Sequence, residues 1–250
     1  MKKLRFGVIP AAGIGNRMGY LSTVLPKCLL PLCGKPIIHY VVENMVRIGI
    51  EKIYVIAYSK KELISEHFEN SHSEIGAEVE VVSLEELPKG LALSIYAARE
   101  LVRESFVTIL GDDVTVTDSL SPLVDLFFSR TAVAVEGVVK DEDKEAIKRS
   151  CCMELDETNR ILHIVEKPTA PISSIRGCGV YIFSPEIFHY IEKTPMSLTS
   201  GEVEITDTIS LLSQEGKAYG GFIHGANFNI NTSDDLRKAR TLIRNGIHPY

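Results

Sequence analysis

The sequence predicts an α/β protein, with a largely parallel sheet covered by helices on both faces. Three observations carry that prediction. Apolar runs of strand length alternate with stretches of helical periodicity through the first half of the 250 residues. The first apolar run opens directly into a glycine-rich loop, the usual chain geometry at the carboxyl edge of such a sheet. No internal repeat, low-complexity tract or Pro/Gly/Ser-rich linker breaks the pattern.

Residues 4–10 (LRFGVIP) read as a buried strand, and 36–48 as an amphipathic helix with proline in its first turn. Residues 52–58 are a second strand and 60–68 a second helix. The stretch 77–83 alternates as a strand, 91–102 has helical apolar spacing, and 105–110 is again a buried strand. Parallel strands joined in this way gather ligands beyond their carboxyl ends, so the loops at 10–27, 83–90 and 111–118 are expected to share one cleft. In the second half, 131–139, 149–155, 160–166 and 177–183 are strands with short connections, which predicts an antiparallel or mixed section. Helices follow at 185–193, 204–215 and 233–245, the last capped by Thr232 or Ser233 with acids in its first turn. The expected arrangement is a single domain over 1–250 with a substrate-covering extension.

A net charge of −6 argues against general nucleic-acid binding but leaves room for a local basic pocket that takes a small anion. Five cysteines, an odd number without paired CxxC spacing, read as free thiols in a reducing cytoplasm, and no zinc-ligand pattern is present. The start MKKLRFGVIPAAGIG has the lysines and small residues of a signal peptide, yet its apolar run is short and glycine-broken, which fits a strand and loop better. No apolar run is long enough to span a membrane.

The segment 8–36, VIPAAGIGNRMGYLSTVLPKCLLPLCGKP, carries the chemistry. Small residues at Ala11, Ala12, Gly13 and Gly15 let backbone N–H groups approach an anion, and Arg17 and Lys27 add two cations. Gly13, Gly15 and Gly19 are spaced G-x-G-x-x-x-G, which is not the dinucleotide fingerprint, and no clear helix starts until Pro36. The G-x-x-x-x-G-K-[ST] pattern is absent as well.

A-A-G-x-G-x-R followed by P-K-x-L-L-P and G-K-P resembles the nucleotidyltransferases that make nucleoside-diphosphate sugars from sugar 1-phosphates. The resemblance continues in register through Gly111-Asp112, Glu166-Lys167-Pro168, Gly179-Val180-Tyr181, the run Gly201 to Asp207 (GEVEITD) and Asn229-Ile230-Asn231-Thr232. It spans residues 5 to about 240, and its pattern is nearest the sugar-phosphate thymidylyl- and uridylyltransferases. It implies a Rossmann-like, three-layer α/β/α fold of glycosyltransferase-A type, with a mixed, mainly parallel sheet. It also implies a nucleotide-binding half (1–130) and a sugar-phosphate-binding half (131–240), and an enzyme family that is often dimeric or tetrameric.

Several site residues follow from the resemblance, each beside a plainer reading. Asp112 and Asn229 would hold Mg²⁺ through oxygen ligands; otherwise they cap turns. Asp113 would point elsewhere. Arg17 and Lys27 would clamp the triphosphate, the guanidinium on the leaving pyrophosphate and the ammonium near the α-phosphate. Lys167 would grip the sugar phosphate, with Glu166, Gly179 and Tyr181 on the sugar side; the alternative for Glu166 and Lys167 is a solvated ion pair. Two positions depart from the nearest pattern. Glu85 stands five residues before Gly90 where thymidylyl enzymes carry Gln, so it either reads guanine or cytosine, or faces solvent while backbone near Ala12, Gly13 and Gly90 reads the base. Cys151 stands where relatives often carry glycine beside the sugar.

The expected reaction is NTP plus sugar 1-phosphate to NDP-sugar plus pyrophosphate, by in-line, Mg²⁺-assisted attack on the α-phosphate, with no covalent nucleophile. A cytidylyltransferase for a phosphorylated alcohol or amine shares the first motif but not the elements at 166–168 and 201–207. A non-catalytic sensor of sugar nucleotides should have lost Arg17, Lys27 or Asp112, and all three are present.

Overall fold

The structure is a computed structural model that describes residues 3–245, with backbone alone for 71–74. In chain order, β1 is Phe6–Pro10 and α1 is Tyr20–Val24, followed by the short pair β2 (Pro31–Leu32) and β3 (Lys35–Pro36). Then come α2 (Ile37–Arg47), β4 (Lys52–Ala57), α3 (Lys61–Ile75), β5 (Glu78–Ser83) and α4 (Leu91–Tyr96). The middle of the chain supplies β6 (Phe106–Ile109), β7 (Asp113–Val116), α5 (Ser121–Arg130), β8 (Ala134–Lys140) and α6 (Lys144–Ile147). The remainder is β9 (Cys151–Leu155), β10 (Ile161–Glu166), β11 (Ile175–Phe183), α7 (Ile187–Lys193), α8 (Ile205–Gln214), β12 (Ala218–Phe222), β13 (Ala226–Asn229) and α9 (Ser233–Arg244). The fold class is the expected one: a mixed, mainly parallel central sheet flanked by helices, of Rossmann-like type.

Contacts divide the chain into two compact units, each discontinuous in sequence. The first comprises 3–87, 109–120 and the chain from 224 on; the second comprises 88–108 and 121–223.

In the first unit, β1, β4 and β5 pair in parallel, with Phe6 opposite Lys52 and Lys52 opposite Glu78. Their apolar residues Val8, Ile9, Ile53, Val55 and Ile56 are wholly buried, which explains why these strands read as continuous apolar runs. A separate antiparallel pair, β7 with β13, sets Asn229 opposite Asp113. A core of Met18, Leu30, Leu32, Ile37, Val114, Ile230 and Leu236 joins this pair to the glycine-containing segment 11–32 and to α9. Buried polar groups on the pair satisfy one another. Asn227 donates to Asp113 and to Thr115 Oγ1, Thr115 Oγ1 donates to Asp113 Oδ1, and Asn44 of α2 donates to the Thr115 carbonyl.

In the second unit, β8 pairs antiparallel with β11 and parallel with β12, while β9 pairs antiparallel with β10 and β11. The mixed section predicted for the second half is therefore present.

Four expectations need correction. The stretch 111–118 is not a loop, because 113–116 form β7. The segment 10–27 is not irregular: it holds a 3₁₀ turn at Asn16–Met18 and the five-residue α1, with another 3₁₀ turn beginning at Lys27. The helix expected over 91–102 ends at Tyr96, after which tighter bonds such as Arg99 N to Tyr96 O take over. The strand expected from 131 starts at Ala134, since Thr131 takes a left-handed φ of 53° that breaks extended backbone.

Candidate active site

The first unit brings four of the expected residues together. Gly15 adopts a left-handed φ of 74°, and its carbonyl accepts from Met18 N at 2.9 Å, turning the chain into the 3₁₀ segment that carries Arg17. Lys27 opens the next 3₁₀ turn on a frame anchored by the buried residues Cys28, Leu29 and Leu30. Gly111 N donates to the Pro10 carbonyl at 3.1 Å, so the turn bearing Asp112 leaves the sheet beside Ala11, whose own N–H donates to Ile56 O. The Asp112 carbonyl accepts from Ile230 N at 2.9 Å, which places Asn229 at the same edge.

Side chains then converge. Lys27 Nζ forms an ion pair with Asp112 Oδ2, both groups being largely shielded from water. Lys27 Nζ also donates to Asn231 Oδ1 at 3.2 Å, and Arg17 donates to that same oxygen at 2.7 Å. The Asn231 amide in turn donates to Asn229 Oδ1. Asp112 and Asn229 each offer a hard oxygen donor at this edge, Asp112 paired with Lys27 and Asn229 bonded to Asn231 in the strand position opposite Asp113. That donor chemistry fits a divalent ion completed by phosphate oxygens and water. Cys28, next to Lys27, is no nucleophile: burial, and then the charge of Asp112, push its thiol up to about 12.

Glu85 lies exposed on the bend that follows β5 in this unit, and Gly13 is exposed as well. Gly90 belongs to the second unit, where the structure ties it to the 201–207 run. Its φ is 111°, and a Cβ there would come within 2.7 Å of the Val203 backbone nitrogen, so only glycine fits. Val203 N donates to Lys89 O at 2.8 Å, and Ala92 N donates to Val203 O at 3.2 Å.

The second unit also assembles Glu166, Lys167 and the GEVEITD run. Glu166 accepts from Thr206 Oγ1 at 2.7 Å and pairs with Lys167 Nζ at 2.9 Å. Lys167 holds a left-handed φ of 41°, fixed by its N–H on the Ser150 carbonyl at 3.0 Å. Strain of this kind in a non-glycine residue is concentrated at functional sites. Partial burial would lower the Lys167 pKa, but Glu166 outweighs it and the net direction is up. Burial, and then the charge of Glu166, raise the Asp207 carboxyl from its ordinary value. Tyr181 sits buried on β11 opposite Glu136 of β8, and Gly179, at φ 63°, is buried two residues before it.

Sequence reasoning missed two features. Asn231 was visible only as part of the N-I-N-T run, although its spacing from Asn229 was a usable signal. Glu136 carried no signal at all: it is a buried acid whose Oε1 accepts from the Cys151 thiol at 3.0 Å and whose Oε2 has no partner. A Cβ on Gly177 would strike that carboxylate, so the small residue there makes its room.

The family model described as nucleotidyl transferase matches residues 6–245. The chain belongs to the nucleotidyl transferase family. A UTP–glucose-1-phosphate uridylyltransferase of Bacillus subtilis (strain 168) is 31% identical over 92% of this chain and 87% of its own length. A second such enzyme, from Staphylococcus saprophyticus, is 29% identical over 92% and 88%. Among solved structures, a UDP-glucose pyrophosphorylase complexed with UDP-glucose superimposes with a TM-score of 0.86 at 23% identity, covering 98% of this chain and 100% of that one. A putative glucose-1-phosphate thymidylyltransferase from Bacillus anthracis, in complex with a sucrose, gives 0.84 at 26% identity, over 96% and 95%. As a sugar-1-phosphate nucleotidyltransferase, this member of the family joins a nucleoside triphosphate to a sugar 1-phosphate, giving an NDP-sugar and pyrophosphate.

Proposed function

We propose that this nucleotidyl transferase uses UTP and glucose 1-phosphate, with Arg17, Lys27, Asp112 and Lys167 carrying the reaction. The observation that carries the residue assignment is the shared hydrogen bonding of Arg17 and Lys27 beside Asp112, at the end of the glycine-containing loop. The choice of substrates is supported by the uridylyltransferase relatives that match over nearly the whole chain.

The proposed reaction is an in-line displacement. A phosphate oxygen of the sugar 1-phosphate attacks the α-phosphorus; a new P–O bond forms as the bond to the β-phosphate oxygen breaks, and pyrophosphate departs opposite. Lys27, freed from Asp112, faces the charge that grows on the α-phosphoryl oxygens, and Arg17 takes the leaving pyrophosphate through its planar fork. Backbone N–H groups of Ala12, Gly13 and Gly15 cradle the phosphates. Lys167 holds the attacking phosphate and Glu166 accepts from a sugar hydroxyl. Asp112 and Asn229 would hold Mg²⁺, which supplies charge neutralisation on the phosphates when bound. All five cysteines are free thiols, which supports a reducing, cytoplasmic setting.

A pyrophosphate-release screen of UTP, dTTP, CTP, GTP and ATP against a panel of sugar 1-phosphates tests the proposal. The highest kcat/KM is expected for UTP with glucose 1-phosphate. A preference for CTP or GTP would overturn the base assignment.

A further inference from the structure

The residue that joins Arg17 to Lys27 is Asn231, and nothing in the mechanism above uses it. Its side-chain oxygen accepts from both cations, at 2.7 and 3.2 Å, while its amide donates to Asn229. Its backbone is fixed from both sides. Ile230, immediately before it, is wholly buried in the core under the glycine-containing segment and donates to the Asp112 carbonyl. Asn231 N and Thr232 N both donate to Asp235 Oδ2, at 3.1 and 2.8 Å, as part of the capping box that starts α9. The side chain therefore projects from a rigid frame into the cluster of charges, as a positioning group must.

We propose that Asn231 is the positioning residue that presents Arg17 and Lys27 to the triphosphate, and that its lack of charge is what the role requires. This rests on the reading of those two cations as triphosphate clamps. Two cations repel each other, so holding them on one point needs an acceptor. Arg17, Lys27 and Asp112 together carry a net charge of +1, being two positive groups and one negative. An amide oxygen holds both cations and leaves that +1 for the polyphosphate. A carboxylate in its place would bring the sum to zero and set a negative charge beside the ligand. Preorganisation of this kind shows in ligand affinity, because the cost of collecting the cations is met before the ligand arrives.

The test is titration of inorganic triphosphate, which has no base to read, into the full-length native protein and the variants N231A, N231D, R17A and K27A. The KM values for nucleotide and for sugar phosphate, and the Tm of each variant, are measured alongside. N231A is expected to weaken triphosphate binding about tenfold and N231D more than that. The nucleotide KM should rise in parallel, while the sugar-phosphate KM stays within twofold. Asp preserves the shape and both acceptor contacts and gives up only the amide donor to Asn229, as Ala also does, so a merely structural role predicts that N231D loses no more affinity than N231A. Triphosphate affinities of N231A and N231D within twofold of native, with R17A and K27A weakened, would overturn this inference alone. Native affinity in R17A and K27A as well would overturn the clamp assignment on which it rests.

Discussion

Lys27 and Asp112 form an ion pair across 85 residues of sequence, at the point where the glycine-containing segment meets the turn before β7. The ammonium occupies the oxygen that a divalent cation would seek, so the acid is matched by a positive charge. Both groups keep some exposure, and Lys27 has Asn231 as a second partner, so neither is left uncompensated when the other is removed. Lys27→Ala and Asp112→Ala should each reduce turnover by at least about a hundredfold, the scale of a lost electrostatic group at a reacting centre. Both should unfold cooperatively within a few degrees of the native Tm. Near-native pyrophosphate release from either purified variant would remove that residue from the mechanism.

Lys167 takes a backbone conformation that costs stability. A left-handed backbone costs a residue with a Cβ about 1 kcal/mol, which glycine does not incur. Lys167→Gly should therefore equal or exceed the native protein in urea stability, by up to about 1 kcal/mol, while its KM for the sugar phosphate rises at least tenfold. A variant less stable by 1 kcal/mol or more, or one with native KM, would contradict this reading of the strained residue.

Glu136 makes stability depend on pH. Burial first, opposed by the Cys151 hydrogen bond and reinforced by the charge of Glu166, raises its carboxyl from 4.5 to about 8. The folded chain thus keeps a proton that the unfolded chain gives up, and the stability it contributes is lost as pH rises through the window from 4.5 to 8. Glu136→Gln removes that dependence and should be the more stable protein above pH 8, by at most about 5 kcal/mol. Tm measured from pH 5 to 9 on both proteins checks it: the two curves should diverge with rising pH, and parallel curves would show that Glu136 is ionised throughout.

Chelation gives a fourth expectation. The proposal gives the metal two protein donors, Asp112 and Asn229, so most ligands would come from phosphate and water and binding should be weak without nucleotide. Dialysis against EDTA should abolish turnover with little change in Tm, and added Mg²⁺ should restore it. A large loss of Tm would instead indicate a structural ion.

These contacts divide sharply by how local they are. The strand at 52–57 and the helix from 233 were legible because burial on both faces, or a Thr232 cap with acids after it, writes itself into adjacent residues. β7 and β13 were not legible, since Asp113, Thr115, Asn227 and Asn229 look like turn residues until they are seen to satisfy one another in a buried ladder. The helical turns inside 10–27 are too short to show periodicity. Arg17 and Lys27 stood out by spacing and resemblance. Their meeting at Asn231 was not, because residues more than 200 positions apart in sequence are joined there by folding alone. Glu136, Cys151 and Gly177 compensate one another in space, and no one of them signals the others in sequence.

The most direct test of the account follows the α-phosphorus. With native protein, Mg²⁺, glucose 1-phosphate and UTP labelled with ³²P at the α-position, the account predicts that label moves into UDP-glucose, with one pyrophosphate released per labelled product. Label that stays in UTP, or that appears as UMP without sugar, would contradict it.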